Sequence, residues 1–204
     1  SMEIVARGAE AVLYRKNGLL IKQRIPKKYR IKQIDEKLRK SRTTVEASLL
    51  SNARRVGVPT PKIVEVDKNN AKITMEFIIG IKLKDLLNTI PTTKIAKICY
   101  EVGRSIGKLH KSGIIHGDLT TSNMIYHQDK VYFIDFGLGF FSKKIEDQGV
   151  DLKLLKDALK STHFKVLNVC WRNIVKGYKH EYSKAELVIK KVDEIEKRAR
   201  YKER

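Results

Sequence analysis

The residues best suited to chemistry lie in two polar clusters in the middle of the chain. Asp118 and Asn123 fall within the first cluster, and Asp135 begins an Asp-Phe-Gly tripeptide shortly afterwards. Carboxylate and amide oxygens are suitable ligands for magnesium, and a phosphoryl transfer also needs a carboxylate that orients the nucleophile. Any one of these residues alone would be read as capping or opening a turn. Their order and spacing together favour a phosphotransferase centre.

The same residues resemble the catalytic motifs of the protein-kinase-like superfamily. Asp118 and Asn123 have the spacing of the loop His-Arg-Asp-Leu-x-x-x-Asn, and the Asp-Phe-Gly tripeptide follows at the distance such enzymes need. The resemblance implies that Asp118 orients the attacking hydroxyl or water and that Asn123 and Asp135 bind Mg²⁺. His116 is expected to be a core histidine. Asp151 resembles the helix aspartate that hydrogen-bonds the catalytic-loop backbone without touching substrate.

The first third of the chain supplies the remaining parts of a kinase nucleotide site. Lys22 lies on an otherwise apolar strand, and Glu46 lies in the middle of a predicted helix. The resemblance implies that Lys22 contacts the α and β phosphates of ATP and that Glu46 positions it. The end of the fifth predicted strand resembles the hinge that binds adenine, with the residues Met75, Glu76, Phe77 and Ile78.

The loop expected to cover the phosphates departs from the kinase pattern. It consists of Gly8, Ala9, Glu10, Ala11 and Val12, with one glycine where conventional kinases have three. Fewer glycines allow less close approach of backbone to phosphate. Glu10 also brings a carboxylate near the phosphates, which indicates a restrained loop.

Other departures exclude a conventional Ser/Thr kinase. Gly117 replaces the catalytic-loop arginine, Thr120 stands where a lysine is usual, and Pro91 is the last proline, so no Ala-Pro-Glu motif can follow. The short segment between Asp135 and Asp151 leaves no room for an ordinary activation segment. RIO-type kinases, aminoglycoside and choline phosphotransferases, and the small kinase of the KEOPS tRNA-modification complex remain.

The KEOPS kinase family is the best match, and the resemblance covers essentially the whole chain. It includes residues 8–11, 26–30, 35–39, 42–43, 46–47, 116–123, 135–137 and 150–152, and a basic tail of Arg198, Arg200, Lys202 and Arg204. The tail departs from the family at Tyr201, where a glycine is usual, and at the acidic Glu203.

The KEOPS resemblance implies an ATP- and Mg²⁺-dependent atypical Ser/Thr kinase and ATPase. It would act in the complex that forms threonylcarbamoyladenosine on tRNA, with the threonylcarbamoyltransferase subunit and a small regulatory subunit as neighbours. Two alternatives remain open at this point. One is a small-molecule phosphotransferase of the aminoglycoside or choline kinase type, and the other is a nucleotide-gated tRNA-binding scaffold.

Composition adds a reason to expect tRNA contact. The 204 residues contain 43 Lys+Arg against 23 Asp+Glu, a formal net charge of +20. Half of that excess falls between Lys22 and Lys62, in the predicted small lobe, and the tail adds more. Solvated helix faces are the competing interpretation. Two cysteines cannot form a disulfide framework, and no apolar run is long enough to span a membrane, so a cytoplasmic protein is expected.

The helices and strands predicted around these residues indicate an α+β, two-lobed, protein-kinase-like fold. Residues 1–79 are predicted to form a small antiparallel sheet lobe of five strands with one long helix over 34–56. Asn17-Gly18 is a strong hairpin signal between the second and third strands. Residues 80–204 are predicted to form a shortened, mostly helical lobe whose last helix begins with a capping box of Ser183 and Glu186.

Overall fold

The computed structural model describes residues 1–203 and has an α+β architecture. The first part is a five-stranded antiparallel sheet in the order β1-β2-β3-β5-β4. Its strands are β1 (Glu3–Arg7), β2 (Ala11–Lys16), β3 (Leu19–Arg24), β4 (Ile63–Asp67) and β5 (Lys72–Glu76). The long helix α1 (Lys32–Arg55) contacts β4 and β5. The predicted five strands and single long helix are therefore confirmed.

Local sequence signals set the turn between β2 and β3 and the end of α1. Asn17 and Gly18 both have positive φ, 52° and 75°, as a two-residue hairpin turn requires. Helix α1 ends at Arg55, and Gly57 follows with φ 94°, a left-handed conformation that glycine adopts without strain. Strand β5 ends at Glu76, so the hinge residues Phe77 and Ile78 lie outside the sheet.

The second part is mostly helical. Its long helices are α3 (Thr92–Lys111), α4 (Ile145–Thr162), α5 (Leu167–Glu181) and α6 (Ala185–Lys202), with the short α2 (Leu83–Leu86). Two small antiparallel sheets complete it: β6 (Ile81–Lys82) with β8 (Met124–His127) and β9 (Lys130–Phe133), and β7 (Ile114–Ile115) with β10 (Phe140–Phe141). Short 3₁₀ turns cover Thr121–Asn123 and Phe164–Val166. The division into lobes at residue 79 stays a prediction.

Helices α3 and α5 pack at very close range. Helix α3 buries an apolar stripe that includes Ile95, Val102 and Ile106. A Cβ added to Gly103 would lie 2.0 Å from the Ile174 carbonyl oxygen, a separation that real Cβ atoms do not adopt. The absence of a side chain at this position is what permits the two backbones to meet.

The predicted capping box at the start of the last helix is wrong. Helix α6 begins at Ala185, its N-cap is Lys184, and no side chain caps it. Ser183 lies one residue before the N-cap, where its hydroxyl cannot satisfy the N2 or N3 amide. The tail residues up to Lys202 continue α6, and Arg204 lies outside the described residues. Across residues 1–203, no helix combines the length and apolarity that a bilayer crossing demands.

Candidate active site

Three side chains from distant parts of the chain converge at the centre of the site. Lys22 Nζ on β3 donates to Glu46 Oε2 on α1 and to Asp135 Oδ1, each at 2.8 Å. The side chains of Lys22 and Glu46 are 10% and 2% exposed, whereas that of Asp135 is 49% exposed. Lys22 is therefore held by a buried carboxylate on one side and faces an accessible one on the other.

Charge pairing keeps both Lys22 and Asp135 ionised. Burial lowers the pKa of Lys22, but the carboxylates of Glu46 and Asp135 outweigh it and hold that pKa above its ordinary value. Burial likewise raises the pKa of Asp135, and the Lys22 ammonium more than offsets this, so the Asp135 pKa lies below its usual range. An anion that enters the site meets a charged lysine and a charged carboxylate.

Asp118 and Asn123 form a second, directly bonded pair. Asn123 Nδ2 donates to Asp118 Oδ2 at 2.9 Å and to the Asp118 carbonyl oxygen at 3.0 Å. The 3₁₀ turn over Thr121–Asn123 brings the chain back towards Asp118, which makes this contact possible. The two bonds orient the Asn123 amide, so that its Oδ1 points away from Asp118.

The donor set at Asn123 and Asp135 fits Mg²⁺. Within residues 1–203, neither Asn123 Oδ1 nor Asp135 Oδ2 accepts a protein hydrogen bond, whereas Asp135 Oδ1 accepts from Lys22 and from the Gly137 amide. Mg²⁺ is usually bound by one or two such oxygens together with water and substrate phosphates. The described residues contain no cluster of three or more His, Cys, Asp or Glu that would hold a metal by protein ligands alone.

A buried network behind the site supports the loop that carries Asp118. Asp151 accepts the backbone N–H groups of His116 at 3.1 Å and Gly117 at 2.9 Å, and its carboxylate contacts His110 Nε2 at 2.8 Å. Burial raises the pKa of Asp151, but these donors and the nearby histidines hold it below its ordinary value. The hydrogen bonds expected of Asp151 are therefore present.

His116 and Gly117 have structural reasons for their identity. His116 is buried; its Nε2 bonds the Ile134 carbonyl at 2.9 Å, and the Asp118 N–H donates to its Nδ1 at 3.1 Å. Both ring nitrogens are thus occupied with the proton on Nε2, as expected of a core histidine. Gly117 has φ 85°, and a Cβ there would lie 2.3 Å from the Leu138 carbonyl, which leaves no room for an arginine.

The loop expected to cover the phosphates is exposed at Gly8, Ala9 and Glu10, and a hydrogen bond within the loop holds its backbone. The Gly8 N–H donates to the Ala11 carbonyl at 2.9 Å. Lys27 contacts the Ala9 carbonyl and lies 3.7 Å from Glu10 Oε1. The carboxylate of Glu10 is thus balanced by a neighbouring cation. Val12, at the far end of the loop, is buried in β2.

The predicted hinge lies where β5 leaves the sheet. Met75 is buried, and the Glu76 N–H donates to the Lys62 carbonyl at 2.9 Å. Within residues 1–203, the N–H of Ile78 has no protein acceptor. Phe77 is turned towards Arg15, whose guanidinium lies 4.3 Å from the ring centroid.

Sequence reasoning missed Arg24. Its Nη2 donates to Glu46 Oε1 at 3.1 Å and to the Gly137 carbonyl at 3.2 Å, so it shares the carboxylate that holds Lys22. The signal was present, because residues two apart on a strand point to the same face. Arg24 therefore had to face the site with Lys22.

Comparisons with known proteins find relatives along nearly the whole chain. The RIO domain family model matches residues 15–138. The KEOPS complex subunit Bud32 of Pyrococcus abyssi is 48% identical, with 100% of this chain and 98% of that protein covered. A probable bifunctional tRNA threonylcarbamoyladenosine biosynthesis protein of Methanosarcina mazei is 45% identical over 98% of this chain, which spans 36% of that longer protein.

A solved structure supports the fold independently of sequence. The chain of WaaP in complex with acyl carrier protein superimposes with a TM-score of 0.64, covering 96% of this chain and 88% of that one. Sequence identity is 15%, so this likeness concerns the fold alone. The expected kinase-like fold is confirmed.

Proposed function

Because the chain belongs to the RIO domain family and, within it, to the group of the KEOPS subunit Bud32, we propose that it is an ATP-hydrolysing atypical Ser/Thr kinase of a KEOPS-type complex. The observation that carries the proposal is the convergence of Lys22, Glu46 and Asp135 beside the bonded pair Asp118–Asn123. In this complex the protein would support formation of threonylcarbamoyladenosine on tRNA.

The proposed roles follow from the chemistry of each group. Lys22 binds the α and β phosphates of ATP, and buried Glu46 holds the ammonium in place. Glu76 and Ile78 bind the adenine edge through their backbone, with Met75 and Phe77 beside them. The loop from Gly8 to Val12 covers the phosphates.

Asp118 orients the nucleophile at the end of the site. Its carboxylate accepts a hydrogen bond from a seryl or threonyl hydroxyl, or from water, while Asn123 fixes the carboxylate. The nucleophile oxygen bonds to the γ-phosphorus and gives its proton to the Asp118 carboxylate, the bond from that phosphorus to the β,γ-bridging oxygen breaks, and ADP leaves. Asn123 and Asp135 would hold Mg²⁺, which when bound offsets the charge of the phosphates.

The proposed partners are the threonylcarbamoyltransferase subunit, a small regulatory subunit and tRNA. The M. mazei relative, a longer protein described as bifunctional, supports a close association with a second activity in the same modification. The excess of positive charge between Lys22 and Lys62, with the basic end of α6, favours contact with tRNA phosphates. The proposed compartment is the cytoplasm.

The test follows radiolabelled γ-phosphate with the purified chain and Mg²⁺, with and without tRNA and the transferase subunit. Asp135→Ala is expected to lower turnover by about a thousand-fold or more, since the proposed metal clamp is lost. Asp193→Ala removes an exposed carboxylate on α6 and is expected to leave turnover unchanged.

The fate of the label separates the candidate functions. Free phosphate that rises with tRNA or the transferase subunit supports a complex-coupled ATPase, and label on Ser or Thr supports a protein kinase. Label on an amino-alcohol or sugar hydroxyl would instead identify a small-molecule phosphotransferase. ATP binding with no turnover under any partner condition would leave the nucleotide-gated scaffold.

A further inference from the structure

A pocket of about 220 Å³ lies beside the active site, between α1 and the segment that follows the Asp-Phe-Gly tripeptide. Four arginines line it, namely Arg24, Arg30, Arg39 and Arg42, against the single carboxylate of Glu10. None of the proposed steps of phosphoryl transfer uses this pocket. Ile25, Leu38, Gly137 and Leu138 complete the lining.

The deepest of these arginines has an unused donor. Arg24 Nε is buried and has no hydrogen-bond partner within the described residues, and its side chain is 8% exposed. Its Nη2 is already engaged by Glu46 and by the Gly137 carbonyl. A buried N–H without an acceptor destabilises the folded protein, so an acceptor in the pocket would relieve that cost.

Arg42 also lacks an anionic partner. Within residues 1–203 its guanidinium donates only to carbonyl oxygens, those of Gly137 and, at 3.1 Å, Gly139. Burial and the neighbouring Arg24 lower the pKa of Arg42, although Glu46 partly counteracts them. Two guanidinium groups thus converge on one neutral oxygen, and Glu46 must also balance Lys22.

The other two arginines share one carboxylate, that of Asp35, so together they keep a net charge of +1. Arg39 Nε donates to Asp35 Oδ2 at 2.8 Å, and Arg30 lies 3.4 Å from Asp35 Oδ1. Glu10 points towards Lys27, at 3.7 Å. The pocket therefore carries uncompensated positive charge, and Arg24 and Arg42 are the two arginines whose donors meet at the Gly137 carbonyl.

We propose that this pocket binds a phosphate oxyanion between Arg24 and Arg42. Pockets for drug-sized ligands span roughly 300–1,000 Å³, so the smaller volume here suits a compact anion. Guanidinium groups bind phosphate oxygens through their N–H donors, which Arg24 Nε and the Arg42 N–H groups other than Nη2 supply. Such an anion would tie α1, which carries Glu46, to Gly137, two residues after Asp135.

Inorganic phosphate is the probe for the test, because the anion has two chemical sources. It is either free phosphate, the product of ATP hydrolysis, or the terminal phosphate of a bound nucleotide. Calorimetric titration of the full chain with phosphate, against chloride at equal ionic strength, is expected to show one saturable site. This experiment needs no nucleotide turnover, so its outcome is independent of the proposed function.

Two variants on α1 locate the site. Arg42→Gln is expected to weaken phosphate binding about ten-fold or more, because charged hydrogen bonds to the anion are lost. Lys40→Gln removes one exposed positive charge from the same helix and is expected to change affinity less than about two-fold. Arg42→Lys keeps the positive charge but removes the paired guanidinium donors. It replaces Arg42→Gln in the binding test if circular dichroism shows that Arg42→Gln is unfolded.

Titrations in the presence of nucleotide separate the two sources. If free phosphate is the ligand, binding persists with saturating ADP and with a non-hydrolysable ATP analogue. If the terminal phosphate occupies the pocket, the analogue abolishes phosphate binding and ADP does not. The proposal is overturned if folded wild-type protein shows no saturable phosphate binding, or if the Lys40 and Arg42 variants lose affinity equally.

Discussion

Replacing Asp151 with asparagine tests whether a buried carboxylate positions the loop that carries Asp118. The Asp151 side chain is fully buried and receives three donors: two backbone amides of the loop and His110 Nε2, at 2.8 to 3.1 Å. Asparagine keeps the shape but has only one accepting oxygen. Its amide NH₂ must then face an N–H group.

The expected cost can be worked from these contacts. His116 N–H and His110 Nε2 both reach Oδ2, whereas Gly117 N–H reaches Oδ1, so the best asparagine rotamer keeps two bonds and opposes the Gly117 N–H. One charged hydrogen bond is lost, two become neutral, and a buried donor is left unsatisfied. Together these changes should lower the free energy of unfolding by about 3–5 kcal/mol.

The difference in the free energy of unfolding between wild type and Asp151→Asn depends on pH with a definite sign. The pKa of Asp151 is lower in the folded protein than its ordinary value of 3.8, so the carboxylate contributes stability above that pH. This contribution is lost as the pH falls through the folded pKa. The stability gap between wild type and Asp151→Asn should therefore be constant near neutrality and narrow below about pH 4.

Urea denaturation and steady-state kinetics provide the assay, with Asp157→Asn as the matched control. Asp157 lies on the same helix, is 50% exposed and pairs with Lys153, so its change should cost at most about 1 kcal/mol. For Asp151→Asn, turnover should fall roughly ten- to hundred-fold with ATP affinity nearly intact, since the displaced loop carries Asp118 and neither Lys22 nor the hinge. Unchanged stability, or lost ATP affinity with normal turnover, would refute the reasoning.

The remaining predictions concern the buried ion pairs, helix packing and tRNA. Glu46→Gln leaves Lys22 and Arg24 undercompensated, so the midpoint of urea unfolding should fall by the equivalent of about 3 kcal/mol; an unchanged midpoint contradicts this. Gly103→Ala should lower thermal stability by about 1–3 kcal/mol through overpacking against α5, whereas Gly8→Ala, whose Cβ meets only an ordinary 3.6 Å contact, should change it little. Affinity for tRNA should fall linearly on a logarithmic salt scale and similarly for unrelated RNA sequences; a salt-independent affinity would exclude binding through phosphates.

The sequence by itself determined the elements whose signals are local. Asn17-Gly18 defined the hairpin between β2 and β3, and the long helix predicted over 34–56 is α1, Lys32–Arg55. These features depend on backbone conformation or periodicity within a few residues, so they are readable without a fold. The spacing of Asp118, Asn123 and Asp135 pointed to the superfamily for the same reason.

Only the tertiary structure decided which charges meet. Lys22 and Asp135 are 113 residues apart in sequence, yet their side chains share a 2.8 Å hydrogen bond. Arg24 and Arg42 both donate to the Gly137 carbonyl, a contact that the sequence motifs do not predict. Local patterns can also mislead. Ser183 has the sequence pattern of a helix cap, but helix α6 begins after it, and no side chain caps the helix. Long-range contacts follow from how the sheet, α1 and the loops pack together, and the free energy of that packing is not encoded in any local pattern.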